Sequence, residues 1–227
     1  MEKVSSILKK CYNIDWKNKV ILECGAGPHG DESHEFINEN DCYYMEPVKE
    51  YFSILSSIKN NNKIFNMGLS DVTNDNVNFS QTSHLGNGSI NHSQDHIEEL
   101  KKYNSTFENI KIKTITYKDF LNVINKNIDL LILDVEGHEI NILKTFLDFS
   151  EEIKPKILVI ECGYDWKDRL NLLKKLEYTL DFYYFNNAYL SLNSFSLQKN
   201  TDMINNVRKL WPSWSWNGKV IYNDTDI

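Results

Sequence analysis

Apolar residues along this chain switch between two spacings, and the switches outline alternating helices and strands. Val4, Ile7, Leu8 and Cys11 recur at helical spacing, which predicts an opening helix over residues 3–12. Residues 19–22 run straight into a glycine cluster, the pattern of a buried strand ending in a tight turn. Residues 32–38 read as a helix and residues 42–45 as a second strand. Pro47 suits the first turn of a helix whose apolar stripe is Val48, Tyr51, Phe52 and Leu55. Residues 63–67 read as a third strand. The stretch 72–109 is rich in Asn, Ser, Thr and His. It reads as a loop-rich excursion near the cleft, with one strand (77–80) and one helix (93–103).

The second half is more regular. Residues 110–116 alternate as a strand does. Residues 128–133 are apolar but for Asp129, as in parallel strands covered on both faces. A helix is expected over 137–148, a buried strand over 156–160, a helix over 166–176, and late strands near 180–185 and 218–222. Such alternation predicts a doubly wound α/β sheet. We read the chain as one domain over 1–227, with an N-terminal helical segment (1–16) and an aromatic-rich segment (190–217).

Composition narrows the classes. The chain has 227 residues, 41% hydrophobic and 25% charged, which suits one large globular domain. Its net charge is -7, and Arg169 and Arg208 are the only arginines, so a nucleic-acid partner is not expected. Residues 1–20 interleave lysines with no apolar leader core. No apolar run nears the roughly 18 residues of a membrane span. Cys11, Cys24, Cys42 and Cys162 lack C-x-x-C spacing and read as free thiols. A cytoplasmic location is expected.

In doubly wound sheets, ligands bind beyond the carboxyl ends of the strands. After the first strand stand Gly25, Gly27 and Gly30, a G-x-G-x-x-G loop. Glu46 ends the second strand 16 residues beyond Gly30, placed to bind ribose hydroxyls. These features fit a nucleotide. Glu23, two residues before Gly25, would repel a pyrophosphate and attract a cation. Asp31 and Glu32 add negative charge at the next helix start. This favours S-adenosylmethionine over NAD.

Ser70 and Asp71 follow the third strand and could bind the adenine amino group or simply form a turn. After the most apolar strand come Asp134, Val135, Glu136, Gly137, His138 and Glu139. Asp134 and Glu136 could bind Mg²⁺ or Mn²⁺, or they could position and deprotonate an acceptor hydroxyl. Glu136 and Glu139 could equally stabilise a helix start. His138 could carry the proton.

These residues resemble the FkbM-type S-adenosylmethionine-dependent methyltransferases. Residues 128–139, followed by Ile142, Leu143 and Lys144, are similar to that family's I-D-L-L-K-I-D-V-E-G-x-E-x-x-x-L-K. Glu46-Pro47 resembles its E-P, residues 66–71 its n-x-A-l-S-D, and residues 114–121 its T-L-D-D-F-L segment. Residues 88–90 resemble its serine loop. The likeness runs from about residue 19 to 162. Two departures stand out: Ile132 replaces a usual lysine, and Pro28-His29 alters a loop that is usually D-V-G-A-N-x-G.

The resemblance implies a Rossmann-like class I methyltransferase sheet, mostly parallel with an antiparallel late strand and helices on both faces. It also implies methyl transfer to an oxygen, often of a sugar or natural product. It places Glu23, Gly25, Gly27, Gly30, Glu46, Ser70, Asp71 and Asp134 at the cofactor, and Asp134, Glu136 and His138 at the reaction. His84 and His92 flank a loop that could cover the cleft; His92 is the better substrate candidate. Trp211, Trp214 and Trp216 crowd into six positions. Trp214 could stack on a carbohydrate acceptor, or the run could pack a core or a homo-oligomer. Two other readings stay open: an NAD-dependent oxidoreductase and a non-catalytic S-adenosylmethionine-binding protein.

Overall fold

The chain enters its first strand by way of one helix, and the two patterns then alternate. A computed structural model describes residues 2–59, 63–83, 87–92, 94–163, 165–216 and 218–223. Helix α1 (Val4–Cys11) precedes β1 (Val20–Cys24), β2 (Asp41–Met45), α2 (Lys49–Lys59) and β3 (Ile64–Phe65). Next come β4 (Gly68–Ser70), β5 (Asn74–Thr82), α3 (Gln94–Lys102) and β6 (Phe107–Thr116). The alternation resumes with α4 (Tyr117–Ile124), β7 (Leu130–Leu133), α5 (Glu139–Lys144), β8 (Ile157–Glu161) and α6 (Trp166–Lys175). Then follow β9 (Tyr178–Tyr184), β10 (Asn187–Leu192), α7 (Thr201–Leu210), β11 (Ser213–Trp216) and β12 (Lys219–Asn223).

Seven strands form the central sheet in the order β3-β2-β1-β7-β8-β10-β9. The pairs from β3 to β8 are parallel, and β10 runs antiparallel between β8 and β9. This is a Rossmann-like, mostly parallel sheet. Chain order reverses between β1 and β7, and such a switch point opens a crevice at the strand ends.

The period-2 alternation of β7 shows why the sheet is covered twice. Leu131 and Leu133 join Leu22, Leu158 and Ile160 in one apolar layer, under α4, α5 and α6. Leu130 and Ile132 join Ile21 and Val159 in the opposite layer, under α1 and α7. Ile132, where the family usually has lysine, is buried there.

Three expectations need correction. Residues 32–38 form only a 3-10 turn over His34–Phe36, because the Glu23 carboxylate takes the Glu32 and Ser33 N–H groups. The third strand stops at Phe65. There the Asn66 amide donates to the Glu46 and Pro47 carbonyls (3.0 and 3.1 Å) and the chain leaves the main sheet. The helix expected over 137–148 starts at Glu139, since Glu136 and Gly137 hold positive φ (54° and 101°). The excursion 72–109 holds the expected strand and helix, as β5 and α3; β4, β6 and β5 make a second sheet, in that order, with a small core of Val48, Phe79 and Ile112. Strand β12 pairs with β11 as a separate hairpin. No helix among the described residues is long and apolar enough to cross a membrane.

Candidate active site

The glycine loop is shaped by close approach. Gly25 has φ +75°, and a Cβ there would lie 1.7 Å from the Asp134 carbonyl oxygen, so no larger residue fits. This contact brings the β1 loop against the β7 loop. Gly27 has open space where a Cβ would stand, on the side of a cavity of about 200 Å³. Gly30 is different. A Cβ there would meet Leu55 and Tyr44 at 2.9 Å, so this glycine serves packing between the loop and α2.

Glu46 lines that cavity. Its Oε2 accepts the Gly27 N–H (2.9 Å) and its Oε1 the Val48 N–H (2.7 Å). Loss of water pushes its carboxyl up to about 7 despite those two bonds. Gly25, Gly27, Glu46, Asp134, Glu136 and His138 all line the cavity. Glu23, Gly30, Ser70 and Asp71 do not.

Glu23 stands behind the loop. Its Oε2 accepts Ser33 N–H (3.0 Å) and Ser33 Oγ–H (2.6 Å). Burial raises its carboxyl to about 7. Ser70 and Asp71 sit one bond back, through His138. His138 Nε2 lies 3.0 Å from Ser70 Oγ and 3.2 Å from Asp71 Oδ1, while Asn141 Nδ2 reaches its Nδ1 at 3.3 Å. The imidazole is buried, which lowers its pKa although Asp71 opposes this.

The loop after β7 is held by Glu139. Its Oε1 accepts Val135 N–H and its Oε2 accepts Gly137 N–H, both at 3.0 Å. Arg169 Nη2 pairs with the same Oε2 at 2.9 Å, and both side chains are buried. Glu136 is thereby fixed in a left-handed conformation that non-glycine residues adopt at a cost. Arg169 also pairs with Asp165 and donates to the Glu161 carbonyl (2.8 Å).

A second cavity, of about 430 Å³, adjoins the first, and Asn87 and Glu136 line both. Its wall includes Glu161, Asp165, Asp168, Trp214 and His96. Trp214 therefore lines the second cavity. His92 lines neither cavity: its Nε2 meets the Ser80 carbonyl (3.2 Å), and its ring packs edge-on against His96 (centroids 5.0 Å apart). Desolvation pushes His96 down to about 4. His84 and the side chain of Trp216 lie outside the described residues.

Sequence reasoning missed Glu161, Arg169 and His96. Glu161 was within reach of the rule that found Asp134, because it too closes an apolar run at the end of a parallel strand. Desolvation and mutual repulsion hold the Asp134 and Glu136 carboxyls far above the usual range, and Glu161 at about 7.

Residues 23–196 match the family model described as the methyltransferase FkbM domain. No curated protein matches the chain. Among solved structures it is similar to a precorrin-6Y C5,15-methyltransferase from Geobacter metallireducens GS-15. The TM-score is 0.44 and the identity 9%, over 82% of this chain and 84% of that one. A precorrin 8w decarboxylase from Methanobacterium thermoautotrophicum gives a TM-score of 0.42 and 12% identity, over 82% and 86% of the chains. An rRNA methylase from Streptococcus thermophilus gives 0.40 and 10%, over 86% and 93%. Likenesses this distant add nothing to the sheet order already described.

Proposed function

The chain belongs to the FkbM methyltransferase family, and we propose that it moves a methyl group from S-adenosylmethionine to a hydroxyl of a small molecule, a sugar or glycan precursor. One observation carries this reading. The cavity lined by the glycine loop and Glu46 meets a second cavity at Glu136, so two ligands can face each other across one carboxylate. The first cavity suits the donor. Gly27 leaves room, Glu46 offers unused lone pairs to ribose hydroxyls, and Asp134 Oδ1 is buried without a hydrogen-bond partner. S-adenosylmethionine supplies a methyl on a positively charged sulfur, which the surrounding carboxylates favour.

The chain's own groups then have separable tasks. Glu46 and the Gly27 backbone hold the donor's ribose end. Glu23 braces the loop through Ser33 and does not touch ligand. Glu136, facing both cavities, accepts a hydrogen bond from the acceptor hydroxyl and takes its proton. Desolvation raises the Glu136 carboxyl well above its usual range and so makes it a stronger base once ionised. The two cavities hold the reactants in line and exclude water. His138 is a positioning residue, since Ser70, Asp71 and Asn141 occupy both ring nitrogens. It ties the end of β4 to the β7 loop. Trp214 offers a ring face to a sugar. A nicotinamide-dependent oxidoreductase has no support in the family match.

Calorimetric titration tests the donor. S-adenosylmethionine should bind with micromolar affinity and NAD should give no heat; NAD binding without S-adenosylmethionine binding would sink the proposal. Once an acceptor is in hand, Glu136→Gln should lower kcat about 100-fold with cofactor affinity nearly unchanged. An unaltered kcat would remove Glu136 from the proton path.

A further inference from the structure

Where the two cavities meet, three carboxylates converge. Asp134 follows β7, Glu136 sits on the turn beyond it, and Glu161 ends the neighbouring strand β8. One carboxylate oxygen from each lies within 4.8 Å of the other two. Oxygens that share one ion at about 2.1–2.4 Å sit roughly 3–5 Å apart. The Asp134 carboxyl is desolvated by its surroundings, and its Oδ1 is wholly buried with no hydrogen-bond partner. Glu161 is oriented: Asn186 Nδ2 donates to its Oε1 at 2.7 Å, and its carboxyl shares a side-chain hydrogen bond with Asp134.

The protein supplies little positive charge here. Among the described residues, no lysine or arginine lies within ion-pair distance of these three carboxylates. Arg169 is committed to Glu139 and Asp165. Arg169 still acts on Glu136 and Glu161 through space, and His96 Nε2 lies 3.9 Å from Glu136. Like charges this close repel strongly where water is scarce. Either protons shared among the carboxyls or a bound cation relieves that repulsion.

We infer that Asp134, Glu136 and Glu161 form a binding site for one divalent cation, Mg²⁺ or Mn²⁺, at the seam of the two cavities. An all-carboxylate donor set suits hard ions such as these. Three protein ligands leave further positions for water or for acceptor oxygens. A cation there would polarise the acceptor hydroxyl and ease loss of its proton. That last consequence rests on the methyl-transfer reading; the binding itself does not.

The test uses the full chain, stripped of metal, without cofactor or acceptor. Mn²⁺ is titrated while the free aquo-ion is followed by electron paramagnetic resonance. One ion per chain should bind, and excess Mg²⁺ should displace it. Affinity should fall at least about tenfold in both Glu136→Gln and Glu161→Gln. These isosteric variants relieve repulsion, so their thermal midpoints should match or exceed that of the parent, which shows that they fold. Absence of Mn²⁺ binding at millimolar concentration, or binding unchanged in both variants, would overturn the inference and leave carboxylates that share protons. S-adenosylmethionine calorimetry on the same samples separates the two readings. A chain that binds S-adenosylmethionine but not Mn²⁺ refutes the cation site alone; the reverse refutes the methyl-donor reading alone.

Discussion

Replacing Arg169 with methionine is expected to destabilise the protein by about 3–5 kcal/mol. For a domain of this size that corresponds to a fall in Tm of roughly 6–20 °C. The guanidinium is 2% exposed and its partner Glu139 is fully buried. Removing the cation strands the Glu139 charge in a low-dielectric interior, where it cannot recover its hydration. The damage spreads because Glu139 also holds the N–H groups of Val135 and Gly137 and so sets the turn that carries Glu136. Donation to the Glu161 carbonyl is lost as well.

Denaturant and thermal unfolding measure the first effect. A double-mutant cycle with Glu139→Gln isolates it. The pair Arg169→Met/Glu139→Gln should be more stable than Arg169→Met alone, because the stranded charge is gone. If Arg169→Met unfolds within a degree or two of the parent, the ion pair does not anchor this loop.

The fold was legible wherever one face of an element was continuously apolar. Residues 128–133 could only be a strand covered on both sides, and Leu130 to Leu133 divide between the two cores as that pattern demands. Parts of β5 and β6 were legible as strands, over 77–80 and 110–116, but their union with β4 in a second sheet was not. Their pairing rests on backbone hydrogen bonds and on a few side chains such as Phe79 and Ile112, which do not tell a strand which partner it takes. Strand β10 was missed although five of its six residues are buried. It holds Ser191 and follows an Asn-Asn pair, so it reads like a turn; its burial comes from neighbours β8 and β9. Helix α7 carried a weak signal in Ile204 and Val207, with Asn200 capping the Met203 N–H, and the nearby tryptophans drew attention away from it.

The site divides along the same line. Gly25, Gly27, Glu46, Asp134 and Glu136 stand next to strands that sequence could locate, and the structure brings them to one cavity. Glu161 ends a located strand in the same way and was overlooked, whereas Arg169 reaches the site only through packing of α6 against α5. Glu23 shows the opposite error. Its place two residues before the glycine suggested contact with a cation, yet the strand turns its side chain to Ser33. Spacing identifies which residues end a strand; the pleat decides on which face each side chain emerges.

Glu46→Gln should cost about 3–6 kcal/mol in S-adenosylmethionine affinity, a loss of at least about a hundred-fold, if two charge-assisted hydrogen bonds to the ribose are lost at about 1.5–3 kcal/mol each. Glutamine is not a harmless isostere at this position. Both carboxylate oxygens already accept backbone N–H groups, from Gly27 and Val48. An amide NH₂ in place of either oxygen would point a donor at a donor.

The pH dependence distinguishes this account from a merely structural one. Burial raises Glu46 to about 7, so in the free protein it is largely protonated at pH 6 and largely ionised at pH 8. Ribose hydroxyls donate, and the ionised form receives them best. Cofactor affinity should therefore rise about tenfold between pH 6 and pH 8, and Glu46→Gln should abolish that rise.

Stability of the ligand-free chain should move the other way. Glu23 and Glu46 both have folded pKa values raised from 4.5 to about 7. Between those values the folded chain binds more protons than the unfolded one, so their contribution is full below pH 4.5 and fades as pH rises through 7. Calorimetric titrations at three pH values, set beside thermal unfolding of the free protein at the same values, read both signs. Affinity that fell with pH in step with stability would show that Glu46 serves the fold and not the cofactor.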